Sequence, residues 1–100
     1  MARVVVIGNA GGGKSTLARK LAERRGLRHT EIDRLLWQEG WVLRPEDAYQ
    51  RQHREIIERE DWVIDGLGRQ DSIAGRLGRA TEIVLIASAI RARTRPRRAT

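Results

Sequence analysis

The first apolar positions fall together: Val4-Val5-Val6-Ile7 is a β-branched run between polar Arg3 and Gly8, the pattern of a strand covered on both faces. A different period follows. Over Lys14 to Arg25 the residues Leu17, Ala18, Leu21 and Ala22 recur on one side of a helix, and Arg24, Arg25 and Gly26 supply its basic end and closing glycine. Arg28 to Asp33 has poor strand propensity but stands where a second strand would follow a strand–helix unit. Pro45 suits the first position of a helix that places Tyr49, His53, Ile56, Ile57 and Glu60 on one side. A third strand, Asp61 to Asp65, ends at the breaker Gly66-Leu67-Gly68. A short helix over 72–78, with Asp71 as its N-cap, then leads to a fourth strand at Glu82–Ala87. Strands alternating with helices predict an α/β fold: a parallel sheet with helices on both faces.

No repeat or linker divides residues 1–87, which read as one core domain. The segment 88–100 has no apolar periodicity, contains Pro96, and is expected to be disordered after about Arg91. Composition agrees with one small domain. The chain has 100 residues, 40% of them hydrophobic, against roughly 45–50% in ordinary domains, which excludes a large two-domain enzyme. The net charge of +7 is unevenly placed: residues 1–87 hold 15 basic and 13 acidic side chains, and 88–100 hold five arginines and no acid. The basic balance therefore describes an end segment more than a binding face, and is weak support for nucleic acid. Absence of cysteine excludes a disulfide framework, a thiolate zinc site and a cysteine nucleophile, and suits the cytoplasm. The apolar runs are far shorter than the roughly 20 residues of a membrane span, so no membrane partner is expected, and the amino-terminal run is also too short for a signal-peptide core.

The candidate chemistry lies between the first strand and first helix. Gly8-Asn9-Ala10-Gly11-Gly12-Gly13-Lys14-Ser15 matches G-x-x-x-x-G-K-[ST], and Thr16 continues it into the helix. Glycines let the backbone bend around a polyphosphate while successive N–H groups and the helix N-terminus point at the anion. Lys14 would reach the β/γ-phosphates, and the Ser15 hydroxyl would ligate Mg²⁺. A G-x-G-x-x-G dinucleotide pattern cannot be laid on Gly8 to Gly13.

Three further residues lie where strand ends border the ligand crevice of a parallel sheet. Asp33 follows the second strand and would orient a phosphoryl acceptor or take its proton; the alternative is an N-cap for a helix starting at Arg34. Asp65 ends the third strand, as a carboxylate that holds Mg²⁺ through a water does. Arg69, four residues on, offers a planar guanidinium to an acceptor phosphate or carboxylate. Trp37, Trp41 and Trp62 are three of four aromatics and are expected in the core or lining a pocket, with core packing favoured. His29 and His53 show no metal-ligand spacing and carry no expected function.

On Val4 to Thr16, on Glu31-Ile32-Asp33 with Trp37 and Trp41, and on Trp62 to Gly66, the chain resembles the first half of a P-loop kinase of the nucleoside-monophosphate kinase type. More narrowly it is similar to the adenylate-kinase-like proteins related to the DNA topology modulation proteins. The resemblance implies a three-layer P-loop NTPase fold with strands ordered 2-3-1-4, ATP and Mg²⁺ as cofactors, and phosphoryl transfer to a small-molecule or nucleoside-monophosphate acceptor. It also implies that Asp65, Gly66 and Arg69 match a D-G-x-x-R stretch whose arginine holds the acceptor phosphate and whose aspartate sits near Mg²⁺. The fifth strand and lid of such kinases cannot be fitted after Ala87, so the fold is expected to be cut short after the fourth strand. A second function class remains open: a non-catalytic nucleotide- or nucleic-acid-binding remnant whose basic tail contacts phosphates.

Overall fold

The structure is a computed structural model in which residues 1–8 and 13–86 are described. Its elements are β1 (Arg3–Gly8), α1 (Lys14–Arg25), β2 (His29–Glu31), β3 (Trp37–Gln38), β4 (Val42–Leu43), α2 (Glu46–Ile57), β5 (Trp62–Asp65), α3 (Ile73–Arg79) and β6 (Glu82–Ile86). Short 3₁₀ turns, Ile32–Leu36 and Gln70–Ser72, precede β3 and α3.

The β-branched run of β1 takes a central position, with β5 on one side and β6 on the other. Strand β2 extends the sheet beyond β5. All pairings are parallel and the order is β2-β5-β1-β6, the expected 2-3-1-4 arrangement of four strands. Alternation along the strands divides the core. Val4, Val6 and Val63 pack with Ala18 and Ala22 of α1; Val5, Trp62 and Ile64 pack on the opposite face with Ile32 and Ile57, backed by Leu77 of α3. The sheet is therefore the middle of three layers, and Val4–Ile7 of β1 and Trp62–Ile64 of β5 are apolar because both faces are covered.

Several expectations need correction. Pro45 is the N-cap of α2, which begins one residue later at Glu46. Asp71 does not cap α3: it lies in the 3₁₀ turn, and its carboxylate is taken by Arg69 and Gln50. Ile32–Leu36 forms a 3₁₀ turn rather than a helix starting at Arg34, and its N-cap is Glu31, so the capping account of Asp33 fails. On α1 the small Ala18 and Ala22 are buried, whereas Leu17 is exposed. The helix approaches the sheet through its alanines, so larger neighbours are left at the margin.

Strands β3 and β4 were not foreseen. They pair antiparallel, Trp37 opposite Leu43 and Gln38 opposite Val42, as a two-stranded unit outside the main sheet. Lacking another layer, the hairpin leaves Trp41 81% exposed and Trp37, Val42 and Leu43 exposed as well. Only Trp62 of the three tryptophans enters the core, where its indole N–H donates to the Ile57 carbonyl at 3.2 Å. The expected tail falls outside the described residues.

Beneath the second face lies a buried polar network. The Tyr49 and His53 rings stack with centroids 5.8 Å apart. Arg76, 1% exposed, donates from Nη1 to His53 Nε2 at 2.9 Å and from Nη2 to the Leu67 carbonyl. For His53 Nε2 to accept, the imidazole must be neutral. Burial, then the charges of Arg76 and Arg54, lower its pKa from 6.5 to about 4. Between these values the unfolded chain binds a proton that the folded chain refuses, so this contribution is complete above pH 6.5 and is lost as pH falls toward 4. We expect stability in urea to decline over that window by up to roughly 3 kcal/mol, at 1.36 kcal/mol per unit. His53→Gln, which retains an acceptor but cannot titrate, should flatten that part of the profile.

Candidate nucleotide-phosphate site

The carboxyl ends of β1, β2 and β5 meet where α1 begins. Asp65 is the last residue of β5, and strand alternation turns it, like Val63, toward α1. It is 1% exposed. A carboxylate removed from water to that degree is costly unless charge and hydrogen bonds compensate it. Compensation comes from two directions. From the first turn of α1, Lys14 Nζ lies 3.5 Å and Ser15 Oγ 3.2 Å from Asp65 Oδ1. From β2, His29 Nε2 lies 2.5 Å from Oδ2.

Gly13 adopts φ 82° as the N-cap of α1, and among the described residues no side-chain hydrogen bond caps the helix and its first turn contains no acidic residue. The positive end of α1, with Lys14 and Ser15 at its edge, is of the kind that attracts an anion. Gly8 closes β1 against Ile86, and Thr16 is exposed on the first turn. Asn9, Ala10, Gly11 and Gly12, the middle of the expected phosphate loop, lie outside the described residues.

Across from Lys14 stands Asp33. Its Oδ1 accepts the Gly68 N–H at 2.9 Å, which ties the turn after β2 to the loop after β5. The loop glycines are required by both shape and space. Gly66 has φ 95°, and a Cβ there would come within 2.8 Å of Asp33 Oδ2; Gly68 has φ 65°, and its Cβ would collide with the Tyr49 hydroxyl. A cavity of about 230 Å³ lies between these parts, lined by Ile7, Gly8, Lys14, Asp33, Gly66 and Leu67.

Arg69 is placed differently. Its backbone N–H donates to the Tyr49 hydroxyl at 3.1 Å. Its guanidinium binds Asp71 through two bonds, of 3.1 and 2.8 Å, and reaches Glu46 at 3.4 Å. The hydrogen bond to Asp71 raises the Arg69 pKa and, reciprocally, holds Asp71 low. Arg69 stands on the rim and is not among the cavity-lining side chains.

The structure thus brings Gly8, Lys14, Asp33 and the Asp65–Gly66 corner together, with Ser15 beside them. His29 was missed. Nothing in its neighbours in sequence marks it; the signal is the parallel register, which sets His29 opposite Val63 and so diagonal to Asp65 on one face of the sheet.

The hydroxyl of Ser15 and carboxylate of Asp65 are hard oxygen donors of the kind Mg²⁺ takes. Among the described residues no group of three or more His, Cys, Asp or Glu side chains forms a metal cluster.

A strand closed by a glycine loop, a helix opening on Lys-Ser, and a buried acid at the next strand end define a P-loop nucleotide-binding protein. Residues 4–99 match the AAA domain family, and the chain belongs to it. No curated protein matches the chain. Among the described residues no helix is long and apolar enough to cross a membrane.

The link between Asp33 and Gly68 is testable in the ligand-free protein. Asp33→Ala removes the acceptor of a solvent-exposed hydrogen bond worth about 0.5–1.5 kcal/mol, so the Gly68 amide should exchange with deuterium ~2- to 10-fold faster, while amides of β1 retain their protection.

Proposed function

We propose that the protein binds ATP with Mg²⁺ and transfers its terminal phosphoryl group to a small-molecule or nucleoside-monophosphate acceptor. The observation carrying this reading is that Lys14 and Asp33 line one cavity at the carboxyl ends of the strands. A cation suited to the phosphate chain and a carboxylate suited to an acceptor hydroxyl face the same space. The likeness to adenylate-kinase-like proteins noted from the sequence supports the same reading. A cytoplasmic setting is part of the same proposal, and a chain without cysteine is compatible with it.

The residues divide the work. Backbone N–H groups at the start of α1 bind phosphate oxygens, and Lys14 exchanges Asp65 for the β/γ-phosphates. Ser15, supported by Asp65, would hold Mg²⁺, which supplies neutralisation of charge on the phosphate chain. Asp33 keeps one oxygen on the Gly68 amide, and its other oxygen remains to orient the acceptor hydroxyl and receive its proton. Ile7 and Leu67 give the cavity apolar wall that limits water around the transferred group. Arg69 holds an acceptor anion by giving up Asp71 for it, an exchange between two planar, doubly bonded pairs.

Lys14 carries the most specific expectation. Isothermal titration of Lys14→Ala with ATP and Mg²⁺ should show affinity reduced ~10- to 100-fold, as loss of a charge-assisted bond implies. ATP turnover with an acceptor should be abolished while the circular dichroism is kept. Removal of residues 88–100 should hardly alter ATP affinity. Wild-type ATP affinity in Lys14→Ala would refute the assignment, whereas salt-sensitive DNA binding lost with the tail would favour the nucleic-acid alternative.

A further inference from the structure

His29 belongs to no motif, yet it contacts the buried carboxylate of the site directly. Its side chain is 14% exposed and that of Asp65 is 2% exposed, so little water competes for the bond between Nε2 and Oδ2. A carboxylate accepts and cannot donate, so Nε2 carries a proton in this contact. The terminal torsion of an aspartate is soft and nearly two-fold. Without a second anchor, the Asp65 carboxylate could turn and share both oxygens with Lys14. With Oδ2 held from β2, Oδ1 is the oxygen left for Ser15 and Lys14. Three elements, β2, β5 and α1, thus set the plane of one carboxylate.

We propose that His29 is a positioning residue: its Nε2–H, donated to Asp65 Oδ2, fixes the carboxylate so that Oδ1 faces the Ser15 hydroxyl, where the cation of a magnesium–nucleotide complex is held. This rests on the ATP–Mg²⁺ reading given above and adds the residue that tunes its metal-dependent part. The phosphate chain itself lies on α1 amides and Lys14, which His29 does not touch among the described residues. Removal of the imidazole therefore weakens the gain in ATP affinity that Mg²⁺ provides. Outer partners of this kind are commonly worth ~10-fold or more in metal affinity.

The test compares wild type with His29→Ala, His29→Leu, which keeps volume without a donor, and His29→Gln, whose amide nitrogen can replace Nε2. ATP is titrated with and without Mg²⁺, and the ligand-free protein is examined by imidazole ¹H–¹⁵N correlation spectroscopy. We expect the Ala and Leu variants to lose ~10-fold of the Mg²⁺-dependent gain, Gln to recover most of it, and the ligand-free wild type to carry a proton on Nε2 of His29. Leu equal to wild type, Gln no better than Leu, or a His29 ring without a proton on Nε2 would each overturn the proposal. If the wild type itself shows no gain with Mg²⁺, the ATP–Mg²⁺ reading fails and this inference with it; a wild-type gain that the variants keep sinks the inference alone.

Discussion

A carboxylate buried at the end of β5 is the constraint around which this small fold is arranged. Asp65 cannot stay charged and nearly dry without neighbours that repay its lost hydration. Lys14 and Ser15 meet that need from α1, which therefore begins where it does, and His29 meets it from β2. The sheet order makes this possible: β5 lies between β1 and β2, so its terminal residue is reached from both the helix that follows β1 and the strand that follows that helix. In the proposed function an anion offered to Lys14 from outside competes with Asp65, and that competition would turn a resting ion pair into a phosphate site.

The opposite wall follows a different logic. Asp33, Tyr49 and Arg76 all contact the chain between Leu67 and Arg69, through the Gly68 amide, the Arg69 amide and the Leu67 carbonyl. The loop after β5 is consequently held by side chains from the turn after β2, from α2 and from α3. Arg76 achieves this with neutral acceptors, and its Nε has no partner among the described residues. Such a buried guanidinium stabilises little for its size, and its value lies in the position it imposes on a loop that faces the cavity.

Much of this was legible in the chain itself, where local chemistry and global fold agree. Val4 to Ile7 and Trp62 to Ile64 are apolar at each sheet position, and Gly8 to Ser15 carries spacing that no ordinary turn requires. The alternation of elements pointed to a parallel sheet covered on both faces, whereas the order of its four strands followed from the resemblance to P-loop kinases. The misses share a cause. Trp37 and Trp41 look like core residues by type, but a two-stranded hairpin offers no second layer to bury them. Asp71 looks like a cap, yet Arg69 is two residues away and takes its carboxylate. His29 and Arg76 owe their significance to partners 36 and, at most, 23 residues distant, and separation on that scale becomes contact only through strand register and helix packing.

The most direct measurement is a crystal structure of the protein with Mg²⁺ and a non-hydrolysable ATP analogue. The account predicts that Lys14 Nζ leaves Asp65 for the β- and γ-phosphate oxygens, that Ser15 Oγ lies on the metal, and that Asp65 stays buried with His29 still on Oδ2. Phosphates bound away from the start of α1, or Lys14 still paired with Asp65 beside a bound nucleotide, would contradict it.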